Sequence, residues 1–155
     1  MKRCMIALDV QSYYKPSAGI VHQIQELTGT YPTIGTLFIH DELKVPLEKL
    51  GQVGPGNDTT MIGGIETVNR HGYMLPDKIL QWIKANEFNE ALVTGGHNDA
   101  NVLSVGFQLF DQGVKPIMIP LLCYGNDWYM HTVTTNIWRQ NIGDVYETVA
   151  EMKFS

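Results

Sequence analysis

The chain is poor in cysteine, in charge and in long apolar runs, and each shortage excludes a class of protein. Only two cysteines, Cys4 and Cys123, occur in 155 residues. They stand far apart in apolar stretches, which argues against a disulfide-stapled secreted domain and for buried thiols in a reducing, cytoplasmic setting. Charged residues make up 17% of the chain, the formal net charge is -5, and there is no basic run. A surface that tracks phosphates is therefore not expected, and nucleic acid is not an expected partner, whereas a small polar or cationic ligand is compatible with this balance. The apolar stretch of the opening MKRCMIALDV ends at Asp9, too short for a signal segment or a span, so no membrane partner is expected. No repeat, heptad or low-complexity stretch is present. GQVGPG lacks the Gly-Lys-Ser/Thr ending and the strand-to-helix setting of a phosphate loop.

What is present is a 44% apolar chain, sufficient for the core of one domain over residues 1–155. Its organising stretch runs from Glu90 to Tyr124. Ala91 to Thr94 reads as a strand that stops at Gly95-Gly96. A helix follows with Val102, Val105, Leu109 and Phe110 on one face, closed by Gly113, and Pro116 to Leu122 forms a second strand. The turn from Gly95 to Asn101 thus lies at the carboxyl end of a strand, where open parallel sheets bind ligands. Arg3 to Leu8 and Thr33 to Ile39 read as buried strands, and Ile65 to Val68 as a short one. Helices are expected over about 17–28 and 76–86, and from an Asp127 N-cap through Trp138. Leu43 to Gly64 reads as an irregular excursion with one helical turn near 46–50. An edge strand near 145–148 and a short C-terminal helix complete the chain. Alternating strands and helices predict an α/β fold with helices on both faces of a parallel sheet.

Polar residues gather where strands end. Asp9 closes the first, as either a turn residue or a pocket carboxylate. His40-Asp41-Glu42 follows the second. Imidazole and carboxylates suit a metal, but the ligand set is incomplete and no second histidine follows soon, so a polar rim is expected and no metal is assigned. Asn69 to Tyr73 forms a polar, aromatic turn.

Four stretches, ALDVQ, VNRHGY, VTGGHNDANVLSVGFQLFDQG and LLCYGNDWYMH, together resemble, in order and register, the isochorismatase-like, or nicotinamidase-like, superfamily of cysteine hydrolases. The resemblance implies a three-layer α/β/α fold with a mainly parallel, doubly wound sheet. It also implies a triad of Asp, Lys and Cys, in which a thiolate attacks an amide or related electrophile. Matched residue by residue, the aspartate falls on Asp9, the lysine on Arg70 and the nucleophile on Asn101. A carboxamide neither ionises nor attacks carbon, and neither Cys4 nor Cys123 aligns with the nucleophile. Arg70 keeps the positive charge but presents it as a planar fork. Asp99 matches an aspartate of the family and is expected to cap the helix that starts near Asn101. The resemblance further implies a cis peptide between Gly96 and His97.

These residues point to an isochorismatase-like protein that is inactive as a cysteine hydrolase. Its pocket would use Asp9, Arg70 and Asn101, with Gln11, Tyr13, His40, His71, Tyr73, Gly96, His97 and Asn98, to bind a small polar or nucleotide-like ligand. It could equally act through a protein partner, or its polar residues could simply satisfy one another. The alternative is a hydrolase of an amide or related C–N bond that uses water, with Asp9 or His97 as general base and Arg70 steadying the anion. A metal-assisted form through Asp9, His40 and Asp41 lacks the two spaced histidines of nicotinamidases. No cofactor is expected. A homo-oligomer is expected, with Trp82, Phe88, Trp128, Tyr129 and Trp138 as candidate contacts.

Overall fold

Alternation along the first strand decides the layers. In β1 (Arg3–Leu8), Cys4, Ile6 and Leu8 join one apolar cluster and Met5 and Ala7 join another, so both faces of the strand are buried. A near-continuous apolar run is what a central parallel strand requires. A computed structural model describes all 155 residues, Met1–Ser155. Around β1 stand β2 (Thr33–Phe38), β3 (Glu66–Arg70), β4 (Glu90–Gly96), β5 (Lys115–Tyr124) and β6 (Asp144–Val145). Their order across the sheet is β3-β2-β1-β4-β5-β6, and every neighbouring pair is parallel. The expected doubly wound sheet is therefore wholly parallel.

Helices cover both faces. α2 (Asp77–Ala85), α3 (Leu103–Asp111) and α4 (Trp128–Asn141) bury Ile79, Ile83, Val105, Leu109 and Trp138 against the first face. On the other face α1 (Ala18–Thr28) and α5 (Val149–Lys153) bring Ile24, Leu27 and Met152 to Met5, Ala7, Leu92 and Ile117. Ser17 caps α1 by accepting from the Ile20 amide, and Asp127 caps α4 by accepting from the amides of Tyr129 and Met130. No helix is long and apolar enough to cross a membrane.

Several boundaries differ from the sequence reading. β3 continues through Asn69 and Arg70, because the ladder with β2 runs on to the pair Phe38↔Arg70. β4 likewise runs through Gly95 and Gly96 rather than stopping before them. Gly95, at φ +98°, lies so close to Leu8 that a Cβ would collide with its carbonyl oxygen. β5 extends to Tyr124 across a shift in register after Met118. Pro120, with no amide to donate, falls in that irregular part. The edge strand is only Asp144–Val145, since Thr148 instead caps α5 by accepting from Glu151 N. Phe110, expected on the buried face of its helix, is 54% exposed. Val102, Val105 and Leu109 already fill that face, and Phe110 points away from it.

Candidate functional site

The order of strands reverses between β1 and β4, and the polar cluster lies at the carboxyl ends of these two strands. Such a switch point opens a crevice in doubly wound sheets. Asp9, the residue after β1, is held in the left-handed region at φ +49°. Its amide donates to Thr36 O at 3.2 Å and Oγ1 at 3.1 Å, and its carbonyl accepts from the Tyr124 hydroxyl at 2.6 Å. These bonds hold a backbone conformation that an aspartate seldom adopts unaided.

The Asp9 side chain is fully buried, yet it is completely satisfied. Oδ1 accepts from Thr36 Oγ1 at 2.6 Å and from Arg70 Nε at 3.0 Å. Oδ2 accepts from Arg70 Nη2 and from Asn101 Nδ2, the latter at 3.2 Å. Four donors occupy the four lone-pair directions of the carboxylate. Arg70, 2% exposed, adds two bonds from Nη1 to the carbonyls of Gly72 at 3.2 Å and Tyr73 at 2.8 Å. This bidentate pair is one that lysine could not reproduce. Asn101, 6% exposed, turns its Nδ2 to Asp9 and to Gly96 O, both acceptors, so the orientation of the amide is fixed. Its Oδ1 is buried and accepts nothing.

Above this floor lies a cavity of about 450 Å³. Tyr13, Tyr73, His97 and Asn101 line it. Sequence reasoning missed Tyr14, Phe38, Val53 and Asn126, which also line it, and Tyr124, whose ring lies 6.0 Å from that of His97. The pair Tyr13-Tyr14 after the first strand was the available signal for Tyr14. Val53 arrives on the long excursion, held there by the Tyr13 hydroxyl donating to its carbonyl at 2.8 Å.

The remaining expected site residues have other work. Gln11 clamps the end of β2, its Nε2 donating to Phe38 O at 3.1 Å and its Oε1 accepting from Phe38 N at 2.7 Å. His71 Nδ1 lies 2.9 Å from Ile39 O. Gly96 packs beneath the Tyr124 ring, and its peptide bond to His97 is cis. Asn98 pairs with His131 of α4. Asp99, expected as a helix cap, caps no amide: residues Asn98–Val102 form a π turn in which His97 O accepts from the amides of Ala100 and Val102. One residue inside that turn, Asp99 is exposed and faces the cavity.

The grouping of Asp9, His40 and Asp41 does not form. Asp41 Oδ1 accepts from Leu43 N, and Asp9 lies under Arg70. His40 instead meets Glu42 at 3.2 Å, with Glu48 close by. Glu42 Oε2 already accepts from the Glu48 amide at 3.0 Å, the leading cause of its lowered pKa.

Burial sets the titration of the site. It holds His97 below its ordinary value of 6.5, outweighing the raising pull of Asp99 and Asp9. It also pushes up the phenols of Tyr14 and Tyr124, with Asp9 adding to the effect in each. The Cys4 and Cys123 thiols are pushed up to about 12 by burial. Neither thiol can serve as a neutral-pH nucleophile.

No family profile and no curated protein matches the sequence. Solved structures do match. An isochorismatase-like hydrolase of Alkaliphilus metalliredigens superposes with a TM-score of 0.80 at 11% identity, covering 100% of each chain. The fold is that of the isochorismatase-like hydrolases. The pyrazinamidase/nicotinamidase of Streptococcus mutans follows at 0.78 and 13% identity, over 94% of this chain and 100% of that one. An isochorismatase family protein of Desulfovibrio vulgaris gives 0.78 and 13%, over 99% and 98%. At such identities the isochorismatase-like likeness is one of fold.

Proposed function

We propose that this protein binds a small molecule in the cavity above Asp9, Arg70 and Asn101 and does not carry out cysteine hydrolysis there. The observation that carries this reading is the hydrogen-bond inventory of Asp9. A carboxylate that takes a proton from an attacking group needs a free lone pair facing it. All four positions of Asp9 are occupied by Thr36, Arg70 and Asn101. Asn101, at the position that the family resemblance matches to the nucleophile, supplies an amide to that network in place of a thiol. The same inventory weighs against water-based hydrolysis through Asp9. It leaves a cavity of about 450 Å³ with aromatic walls, within the usual size range of small-molecule sites.

Incubation with nicotinamide, pyrazinamide and a panel of simple amides tests this reading through ammonia release. No release above background is expected. Turnover that disappears in Asp9→Asn while the melting transition is retained would establish the hydrolase reading instead. A homo-oligomer belongs to the same proposal. Trp128 is 80% exposed and Tyr129 60%, adjacent at the start of α4, whereas Trp138 and Phe88 are buried in the core. Sedimentation velocity should show a slower, lighter species for Trp128→Ser; an unchanged profile would exclude that contact.

A further inference from the structure

The charges of the cavity are unbalanced in a way that restricts its ligand. None of its 13 lining residues is a lysine or an arginine. Arg70, below the floor, has Asp9 directly against it, so little of its positive charge reaches the space above. Asp99 is the one carboxylate in the lining, exposed and capping nothing. Asn101 also lines this space, but its unpaired Oδ1 is itself buried and is not offered to the cavity. The walls are π faces and edges: Tyr13 and Tyr14 meet at 5.2 Å, and Tyr14 stands edge-on to His97 at 4.8 Å. Aromatic walls and a free carboxylate favour a flat ligand that is positive and carries N–H groups. Phosphate and carboxylate ligands would meet Asp99 with no lysine or arginine in the lining to offset it.

We infer that the cavity is built for a small flat organic cation, such as an amidinium or a protonated amine on a ring, whose N–H groups meet Asp99 while its ring packs among Tyr13, Tyr14 and Tyr73. This rests on the reading of the cavity as a ligand site and names the class of its ligand. A nucleotide-like ligand would fit only through its base.

Three probes with one ring and three charges test the assignment: benzamidine, benzamide and benzoate, each titrated into the full chain by protein-observed NMR. Benzamidine should perturb residues around the cavity with a Kd about tenfold below that of benzamide, and benzoate should bind more weakly still. Asp99→Asn, at an exposed position, should leave the melting temperature unchanged. It should also narrow the gap between benzamidine and benzamide to roughly twofold. Equal or tighter binding of benzamide or benzoate, or a gap that survives Asp99→Asn, overturns the cation assignment and leaves the ligand site standing. If no probe perturbs the cavity at about 20 mM, where even a millimolar fragment is bound, both readings fall.

Discussion

Asp9 and Arg70 make each other's burial tolerable, and this coupling is best tested residue by residue. With side chains 0% and 1% exposed, either alone would leave an uncompensated charge in the interior. Arg70→Met should therefore cost about 3–5 kcal/mol in urea unfolding. The double variant Asp9→Asn/Arg70→Met should be considerably more stable than the single one, since it removes both charges and asparagine tolerates the left-handed backbone at position 9. A double variant no better than the single would mean that Arg70 acts through its bonds to Gly72 and Tyr73 instead. The thiols give a second expectation at this scale. With Cys4 and Cys123 buried and their pKa values raised to about 12, an aromatic disulfide reagent at neutral pH should label neither until the chain unfolds. Rapid labelling of one thiol in the native protein would contradict the burial described.

Among the elements, two close approaches hold the crevice in shape. Where β4 passes β1, Gly95 sits at φ +98° with no room for a Cβ beside Leu8 O. Gly95→Ala should cost more than about 3 kcal/mol or prevent folding, because the obstacle is backbone and cannot step aside. Where α3 passes α4, a Cβ on Gly106 would run into the ring of Trp138, which is fully buried. Gly106→Ala should cost about 1–3 kcal/mol by overpacking and should shift the tryptophan emission as that ring moves. Unchanged emission and stability would show that α3 and α4 can separate without loss.

For the whole molecule, the acid side of the stability profile carries the signature of buried imidazoles. Burial lowers His97 and, in α4, His131 below 6.5. A base with a lowered folded pKa binds its proton more readily when unfolded. Its contribution is therefore complete above 6.5 and is lost as pH falls from 6.5 toward the folded value. The groups that face His97 are Asp99, Asp9, Arg70, Tyr14 and Tyr124. Melting temperature should decline below pH 6.5, and His97→Gln should make the decline shallower. A second loss should follow nearer the carboxylate range, from Asp58 and Asp144. Hydrogen bonds from Thr59, Tyr13 and Ser12 hold Asp58 low against the opposing pull of burial, and Lys115 holds Asp144 low. An identical profile for His97→Gln would remove His97 from this account.

Much of this architecture was legible along the chain. Apolar runs ending in polar residues marked β1 and β2, an apolar run stopping at a glycine pair marked β4, helical spacing marked α1 to α4, and Asp127 marked the start of α4. These features are local, and the periods of two and 3.6 residues that report them survive in any sequence that buries one face of an element. Where the reading failed, the deciding partner lay far away. Arg70 belongs to β3 because β2 extends the ladder to it, and Phe110 is exposed because its neighbours had already filled the face.

The sequence by itself determined the succession of strands and helices, the carboxyl-end location of the crevice, and the presence of a carboxamide at position 101. Tertiary structure alone decided which groups meet there. Arg70 reaches Asp9 across 61 residues and Asn101 reaches it across 92, through the register of parallel strands. A local pattern fixes which way a side chain points, but not whose lone pair it fills. For that reason the saturation of Asp9, the freedom of Asp99 and the unmet oxygen of Asn101 emerged only when the strands lay side by side.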